Sequence, residues 1–140
     1  MHTNPTPQPA PRTWPDTFPE DLETEKRPWG RWTVLYSIPG IKVKLIEVRP
    51  GHRLSLQYHH HRSELWVCVA GQATARIGDS TETLNPLSSA RIPVGTVHRL
   101  SNEGHTPVFI VEIQEGDRLV EEDIVRIEDD YHRAPVSDKF

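Results

Sequence analysis

Short apolar runs, several of them alternating with polar residues, follow one another from Trp29 onward. The stretch IKVKLIEV at 41–48 alternates almost throughout and is followed by Pro50-Gly51, while ELWVCVA at 64–70 ends before Gly71. Because successive residues of a strand point to opposite faces, such runs between turn residues predict β-strands. The runs predicted as strands are 31–37, 41–48, 53–59, 64–70, 73–77, 81–85, 90–93, 98–102, 107–114 and 123–127.

Strands this short and this closely spaced are typical of an all-β sandwich or barrel. No stretch of ten or more residues shows a helical apolar period, and residues 118–123 are the best candidate for a short helical turn. The chain has 140 residues, 35% of them hydrophobic, which suits a single domain with one modest core. We find no internal repeat and no second domain.

The N-terminal residues differ in composition from the rest. Proline removes backbone donors and favours an extended, polyproline-like chain. We therefore predict a flexible Pro-rich arm at 1–24, followed by a single barrel domain at 25–140. The prolines that indicate the arm are Pro5, Pro7, Pro9, Pro11, Pro15 and Pro19.

The overall charge, the hydropathy and the single cysteine indicate which kinds of binding partner and which cellular compartment to expect. The net charge is −4, and no basic stripe or run of like charge marks a nucleic-acid or membrane surface. No segment approaches the roughly 18 apolar residues of a membrane helix, and the N-terminus lacks the pattern of a signal peptide. Cys68 lies inside an apolar run and is expected to be a buried hydrophobe. We expect a cytoplasmic protein that binds neither nucleic acid nor membrane.

Three consecutive histidines interrupt the pattern before the apolar run at 64–70. Residues two apart on a strand share a face, so Gln57, His59 and His61 should lie together, opposite Tyr58 and His60. His61 is thus placed near any site on that face, where it could donate a hydrogen bond to a metal ligand or carry a proton. The alternative is a polar strand face that carries histidines by chance.

Four residues around this triplet have the chemistry of metal ligands. We predict a tight turn at 62–63, with Glu64 starting the return strand, so that Gln57, His59 and Glu64 converge across a hairpin. His98, just after a Pro-x-Gly turn, could supply the fourth ligand. Imidazole, carboxylate and amide groups suit divalent first-row metals, and four protein ligands on a six-coordinate ion leave room for a substrate.

These residues resemble the two conserved motifs of cupin barrels. The first motif runs Gly, His-x-His, Glu, Gly, and the second ends Pro-x-Gly-x-x-His-x-x-x-Asn. Gln57 stands at the first histidine position, and Leu87 stands at the leading glycine of the second motif. The resemblance implies a double-stranded β-helix, or jelly-roll, barrel. The matching residues are Gly51, Gln57, His59, Glu64, Gly71, Pro93, Gly95, His98 and Asn102.

A narrower resemblance covers residues 27–133. The segments RPWGRW, KVKLIEVRPGHRLSLQYHHHRSELWVCVAG, IPVGTVHRLSN and IVEIQEGDRLVEEDIVRIEDDYHR look like the type II phosphomannose isomerase domain. That domain also forms the C-terminal part of bifunctional mannose-1-phosphate guanylyltransferases, whose Gly-rich nucleotide signature is missing here. The resemblance supports Gln57 as a ligand. It implies a metal-dependent interconversion of mannose 6-phosphate and fructose 6-phosphate.

Several departures from that family keep alternative functions open. Leu65 stands where the family usually has His, Val120 and Glu122 alter a stretch usually written GEDD, and His132 replaces a Gly. These changes motivate a non-catalytic or regulatory sugar-binding cupin as the main alternative. A metal-dependent dioxygenase cupin is a weaker third hypothesis.

An isomerase also needs a base that moves a proton between C2 and C1 of the sugar. Glu112 shares a strand face with Gln114, and that face could point into the barrel or to solvent. Glu112, His61 and Asp123 are the candidates for this role, and the sequence does not choose among them.

Cationic side chains would hold the sugar's phosphate. Guanidinium forks match phosphate, so Arg126 and Arg133 are candidates, although surface charge pairs also explain such a segment. Lys44 is a third candidate for phosphate contact. The alternative is that Lys44 lies on a face of the sheet exposed to solvent. The expected cofactor is a divalent ion, Zn first and Mn, Fe, Co or Ni as alternatives. The expected partners are a sugar phosphate and a second copy of the chain, as a homodimer.

Overall fold

Two antiparallel β-sheets make up the computed structural model, which describes residues 22–133. One sheet has six strands in the order β1-β2-β3-β10-β5-β8, and the other has five in the order β11-β4-β9-β6-β7. The strands are β1 (Thr24–Arg27), β2 (Gly30–Ile38), β3 (Ile41–Val48), β4 (Leu56–Tyr58), β5 (Arg62–Ala70), β6 (Ala73–Ile77), β7 (Ser80–Leu84), β8 (Ser89–Ile92), β9 (His98–Ser101), β10 (Val108–Gly116) and β11 (Val125–Glu128).

The all-β prediction is confirmed, since the described residues contain no helix. The predicted strands at 41–48 and 73–77 coincide with β3 and β6. Residues 118–123 hold only a turn, closed by a 3.2 Å hydrogen bond from the Asp123 N–H to the Val120 carbonyl. Within 22–133 the chain forms no helical segment with the length and hydrophobicity of a membrane span.

The predicted Pro-rich arm falls mostly outside the described residues. Residues 1–21 are not described. Thr24 is already the first residue of β1, which pairs with β2 in antiparallel register. Its sequence, TEKR, contains no apolar residue, so the hydrophobic pattern did not predict this edge strand.

The tight turn predicted at 62–63 is wrong. Arg62 and Ser63 belong to β5 and pair with Gly116 and Glu115 of β10. β4 and β5 lie in different sheets, so no hairpin joins them, and the chain crosses between the sheets at 59–61. The crossing brings the chain very close to Gly116, where a Cβ would lie 2.0 Å from the His61 carbonyl oxygen.

The strand register places three side chains of neighbouring strands side by side on the inner face of the six-stranded sheet. Glu112 of β10 is directly opposite Lys44 of β3 on one side and Trp66 of β5 on the other. Cross-strand partners share a face, so all three side chains point the same way. Each is buried, which places this row inside the barrel.

The five-stranded sheet presents a second row toward the same interior. Gln57 of β4 is opposite Arg126 of β11 and His98 of β9. Residues of both rows line one cavity, next to the apolar core of the barrel. The buried apolar residues of that core include Trp29, Trp32, Ile46, Val48, Trp66, Cys68, Leu84, Ile92, Leu100, Val108 and Ile110.

Gly71 and Gly51 provide a matched test of the backbone that fixes the β5–β10 register. Both have left-handed φ, +76° and +77°, but a Cβ on Gly71 would lie 2.4 Å from the Pro107 carbonyl oxygen and one on Gly51 would meet nothing. Gly51→Ala should cost about 1–2 kcal/mol from conformation alone. Gly71→Ala adds a backbone clash and should cost at least about 3 kcal/mol in urea unfolding. Equal losses for the two variants would contradict this packing.

Candidate metal centre and the adjoining cavity

Three predicted ligands meet at one point inside the barrel. His59 follows β4, Glu64 lies on β5 and His98 begins β9, and their potential ligand atoms all lie within 4.8 Å of one another. The Nε2 atom of His59 is 3.2 Å from Glu64 Oε2, and that of His98 is 3.7 Å from Glu64 Oε1. All three residues are buried, with exposures of 1–3%. The convergence predicted from the sequence is therefore present for these three, although no hairpin produces it.

Hydrogen bonding sets the tautomer of both imidazoles. The Nδ1 atom of His59 contacts the Asp123 carbonyl at 2.6 Å, and that of His98 contacts the Thr96 carbonyl at 2.8 Å. A carbonyl oxygen only accepts, so each Nδ1 must carry a proton, and in a neutral ring Nε2 then carries a lone pair.

Two Nε2 lone pairs and a carboxylate thus face one small volume. Burial lowers the pKa of His98 and favours its neutral form. His98 Nε2 is buried and has no hydrogen-bond partner within residues 22–133. The unpartnered His98 Nε2, beside the His59 imidazole and the Glu64 carboxylate, fits a divalent first-row metal, which takes neutral imidazole and carboxylate ligands.

Gln57 lies beside this cluster. Its Oε1 accepts a 2.5 Å hydrogen bond from Ser55, and its Nε2 is 3.4 Å from His59 Nε2. The two ends of an amide are assigned from neighbours, and half a turn would aim the oxygen at the cluster. The structure thus brings the fourth predicted ligand to the centre, and its ligand role stays a prediction.

Arg62 is part of the centre, although the sequence placed it in a turn. Its Nε donates to Glu64 Oε2 at 2.8 Å, and its Nη2 lies 3.2 Å from His59 Nε2. Burial alone would raise the pKa of Glu64, but the contact with His59 and the charge of Arg62 lower it below its ordinary value. The sequence prediction began this strand at Glu64, whereas β5 begins at Arg62. Had the predicted strand begun at Arg62, the alternation of side chains would have placed Arg62 and Glu64 on one face.

Glu112 is joined to the centre through Trp66. The indole N–H donates to Glu64 Oε1 at 3.0 Å and to Glu112 Oε2 at 3.2 Å. Gln114 Nε2 donates to Glu112 Oε1 at 2.6 Å. The sequence left open whether the face of Glu112 and Gln114 points inward or to solvent, and the structure shows both side chains buried inside the barrel. Trp66 was not recognised from the sequence because an apolar strand residue gives no signal of an indole hydrogen bond.

Burial raises the pKa of Glu112 to about 7, and the negative charge of Glu64 adds to the shift. The charges of Arg62 and Lys44 oppose it but do not cancel it. Near neutral pH, Glu112 can therefore both take up and release a proton, which a general acid–base group must do.

The side chains of His61 and Asp123, the other proposed proton carriers, contact groups outside the cluster. The Asp123 carboxylate accepts the backbone N–H groups of His60 and His61, each at 2.9 Å. The His61 side chain is 43% exposed and 3.5 Å from the carboxylate of Asp117. Asp123 holds the crossing at 59–61 and, through its carbonyl, orients His59.

The three predicted phosphate ligands all line one cavity beside the centre, together with Gln57 and Glu112. Lys44 is buried, with Nζ 2.6 Å from Glu121 Oε2 and 4.0 Å from the centre of the Trp32 ring. Arg133 pairs with Asp129 at 2.7 Å. Arg126 Nε is buried and has no hydrogen-bond partner among the described residues.

The raised pKa of Glu112 predicts how stability depends on pH. The folded carboxyl binds its proton more tightly than the unfolded one, whose ordinary pKa is 4.5. The Glu112 carboxyl group therefore lowers the free energy of unfolding as pH rises from about 4.5 through 7. In chelator-treated protein, Glu112→Gln should raise the free energy of unfolding by up to about 3 kcal/mol at pH 8 and by little at pH 4.5. Urea unfolding at both values checks this, and parallel pH profiles of variant and parent would contradict it.

The sequence is similar to a known protein family and to several characterised proteins. The family model for the C-terminal domain of mannose-6-phosphate isomerase matches residues 20–129. The chain is 47% identical over 108 residues to the alginate biosynthesis protein AlgA of Pseudomonas aeruginosa, covering 77% of this chain and 22% of that protein. It is 43% identical over 108 residues to a mannose-1-phosphate guanylyltransferase of Klebsiella pneumoniae, again covering 77% and 22%. The chain thus spans less than a quarter of the length of these relatives.

Solved structures with a similar fold include cupins. The cupin domain of Cnp3 from Schizosaccharomyces pombe matches with a TM-score of 0.60 at 14% identity, covering 69% of each chain. CapF, a capsular polysaccharide assembling protein of Staphylococcus aureus, matches with a TM-score of 0.65 at 22% identity, covering 80% of this chain and 35% of that one. At these identities the likeness concerns the fold alone, and it confirms the predicted cupin barrel.

The family match extends over most of the chain, and it includes the strands that carry the clustered ligands and Glu112. The chain therefore belongs to the family of mannose-6-phosphate isomerase C-terminal domains.

Proposed function

We propose that this domain interconverts mannose 6-phosphate and fructose 6-phosphate with the help of a divalent metal ion, zinc being the first candidate. The observation that carries the proposal is the link from the His59–Glu64–His98 cluster through Trp66 to Glu112, all within one barrel interior. Membership in the family supports the reaction class.

The ligand set fits the chemistry that such a reaction needs. His59, Glu64 and His98 would hold the ion, with Gln57 as the fourth ligand. When bound there, the ion would act as a Lewis acid toward the sugar's carbonyl and stabilise the negative charge that develops on its oxygens.

Glu112 is the proposed base. As a carboxylate it takes the proton from C2 of the open-chain aldose and returns it to C1, while a hydroxyl proton passes from O2 to O1. The reaction is then balanced with no oxidant or reductant. A pKa of about 7 suits both halves of this transfer. Trp66 and Gln114 hold one carboxylate oxygen each, which fixes the orientation of the group.

Turnover of mannose 6-phosphate, coupled to detection of fructose 6-phosphate, tests the proposal. The metal-loaded protein should catalyse the reaction in both directions, lose activity with a chelator and recover it when a divalent ion is restored. Calorimetric binding of mannose 6-phosphate by metal-loaded protein without turnover would overturn the proposal and favour a regulatory sugar-binding cupin.

A further inference from the structure

We infer that Arg27, Arg126 and Arg133 together form an anion-binding subsite in the cavity beside the metal centre, and that it takes the phosphate of the substrate. This inference rests on the proposed function for the identity of the substrate, but not for the existence of the subsite. Arg27 was not among the residues predicted from the sequence, and Lys44 is not part of the subsite.

The three guanidinium groups come from separate parts of the chain and line the same cavity. Arg27 ends β1, Arg126 lies on β11, and Arg133 follows the last strand. Burial lowers the pKa of Arg126, and the positive charges of Arg133 and Arg27 lower it further, so the three cations lie within electrostatic reach of one another. Like charges brought together in this way repel, and a bound dianion would relieve the repulsion.

Hydrogen bonds among the described residues do not occupy every N–H group of these three arginines. Arg126 Nε is buried with no partner among residues 22–133. The carboxylate beside Arg27, that of Glu25, is 46% exposed, and such surface pairs are weak. Asp129 holds Arg133 through Nε and Nη2, which orients that guanidinium. Guanidinium forks of this kind match the oxygens of a phosphate.

Lys44 has a different role. Its ammonium group is bound to Glu121 and lies over the Trp32 ring. The buried Lys44 ammonium already has this carboxylate as its charged partner, and the Glu121 side chain is 45% exposed. Lys44 is therefore better explained as a residue that fastens the segment at 117–124 to the barrel. The Lys42 ammonium, which donates to the Leu119 carbonyl at 3.0 Å, strengthens the same attachment.

The register of the five-stranded sheet sets the polarity of the bound sugar. Arg126, Gln57 and His98 form one row across adjacent strands. With strands about 4.8 Å apart, the backbone of Arg126 lies roughly 10 Å from that of His98. A hexose with a terminal phosphate can therefore place its phosphate at the arginines and its C1 and C2 atoms at the metal centre. The subsite thus selects sugars whose phosphate is at the end opposite the carbonyl.

Calorimetric titration of the full chain with inorganic phosphate tests the subsite without relying on turnover. The parent should bind phosphate, and Arg27→Gln and Arg126→Gln should each weaken binding at least about tenfold, because each removes a charge-assisted interaction. Arg91→Gln is the matched control, since Arg91 is exposed on β8, and it should bind like the parent. Arg126→Lys, which keeps the charge but loses the fork, should fall between parent and Arg126→Gln.

Steady-state kinetics separates this inference from the proposed function. In folded Arg27→Gln and Arg126→Gln proteins, KM for mannose 6-phosphate should rise at least about tenfold with kcat changed much less. Phosphate binding as expected but no isomerase turnover would leave the subsite standing and overturn the proposed function. If neither Arg126→Lys nor Arg27→Gln changes turnover or phosphate binding, the subsite is overturned and the proposed function stands. If Arg126→Gln does not fold, the Arg27→Gln and Arg126→Lys results decide.

Discussion

Replacing Glu112 with Gln should lower kcat for mannose 6-phosphate by about 10²–10⁴, the range that a general base contributes. The amide has nearly the same shape, so Trp66 and Gln114 keep a neighbour of the same size, but it cannot take a proton from C2. KM should change little, because Glu112 acts in the chemical step and the ligands of the metal are untouched. Steady-state assays on metal-loaded variant and parent measure the effect.

Glu115→Gln is the matched control for this variant. Glu115 lies on the same strand as Glu112, but it is exposed and contacts Ser63 at 3.2 Å. The control should retain the activity of the parent, and both variants should retain its metal content. Activity of Glu112→Gln within a few-fold of the parent would rule out Glu112 as the base.

Replacing Glu64 with Gln should both release the metal and destabilise the metal-free protein by about 3–5 kcal/mol. The substitution removes the carboxylate from the cluster and leaves the Arg62 guanidinium, which is 7% exposed, without its charged partner. An unpaired buried charge is costly because the protein interior solvates it poorly. Metal analysis after dialysis and urea unfolding in the presence of a chelator measure the two effects.

A double variant separates the two roles of Glu64. Arg62→Met together with Glu64→Leu removes both charges, so most of the lost stability should return while metal binding stays abolished. A double variant as unstable as Glu64→Gln alone would show that the buried charge of Arg62 is not the cause of the loss.

The strands with an apolar alternation could be predicted because each has one face in the core. β3 has this pattern, and its predicted bounds match the structure. β1 could not be found in this way because TEKR is an exposed, polar edge strand held by its pairing with β2. The turn at 62–63 was predicted wrongly because a hairpin and a crossing between sheets both need only a short break in the pattern.

The convergence of three candidate ligands could be predicted from joint spacing, but the residues that support them could not. His59, Glu64 and His98 stand at motif positions, and the structure brings them together. Trp66 and Arg62 act through contacts made only after two sheets have closed on each other. The orientation of His61 was also out of reach, since the strand phase that placed it near the site ends at Tyr58.

The most direct test of the account is metal analysis of purified protein alongside the isomerase assay, for the parent, His59→Ala and His98→Ala. We expect the parent to bind a divalent ion stoichiometrically, both variants to lose it, and turnover of mannose 6-phosphate to follow the metal content. A parent that interconverts the two sugar phosphates at full rate after complete removal of metal would contradict the account.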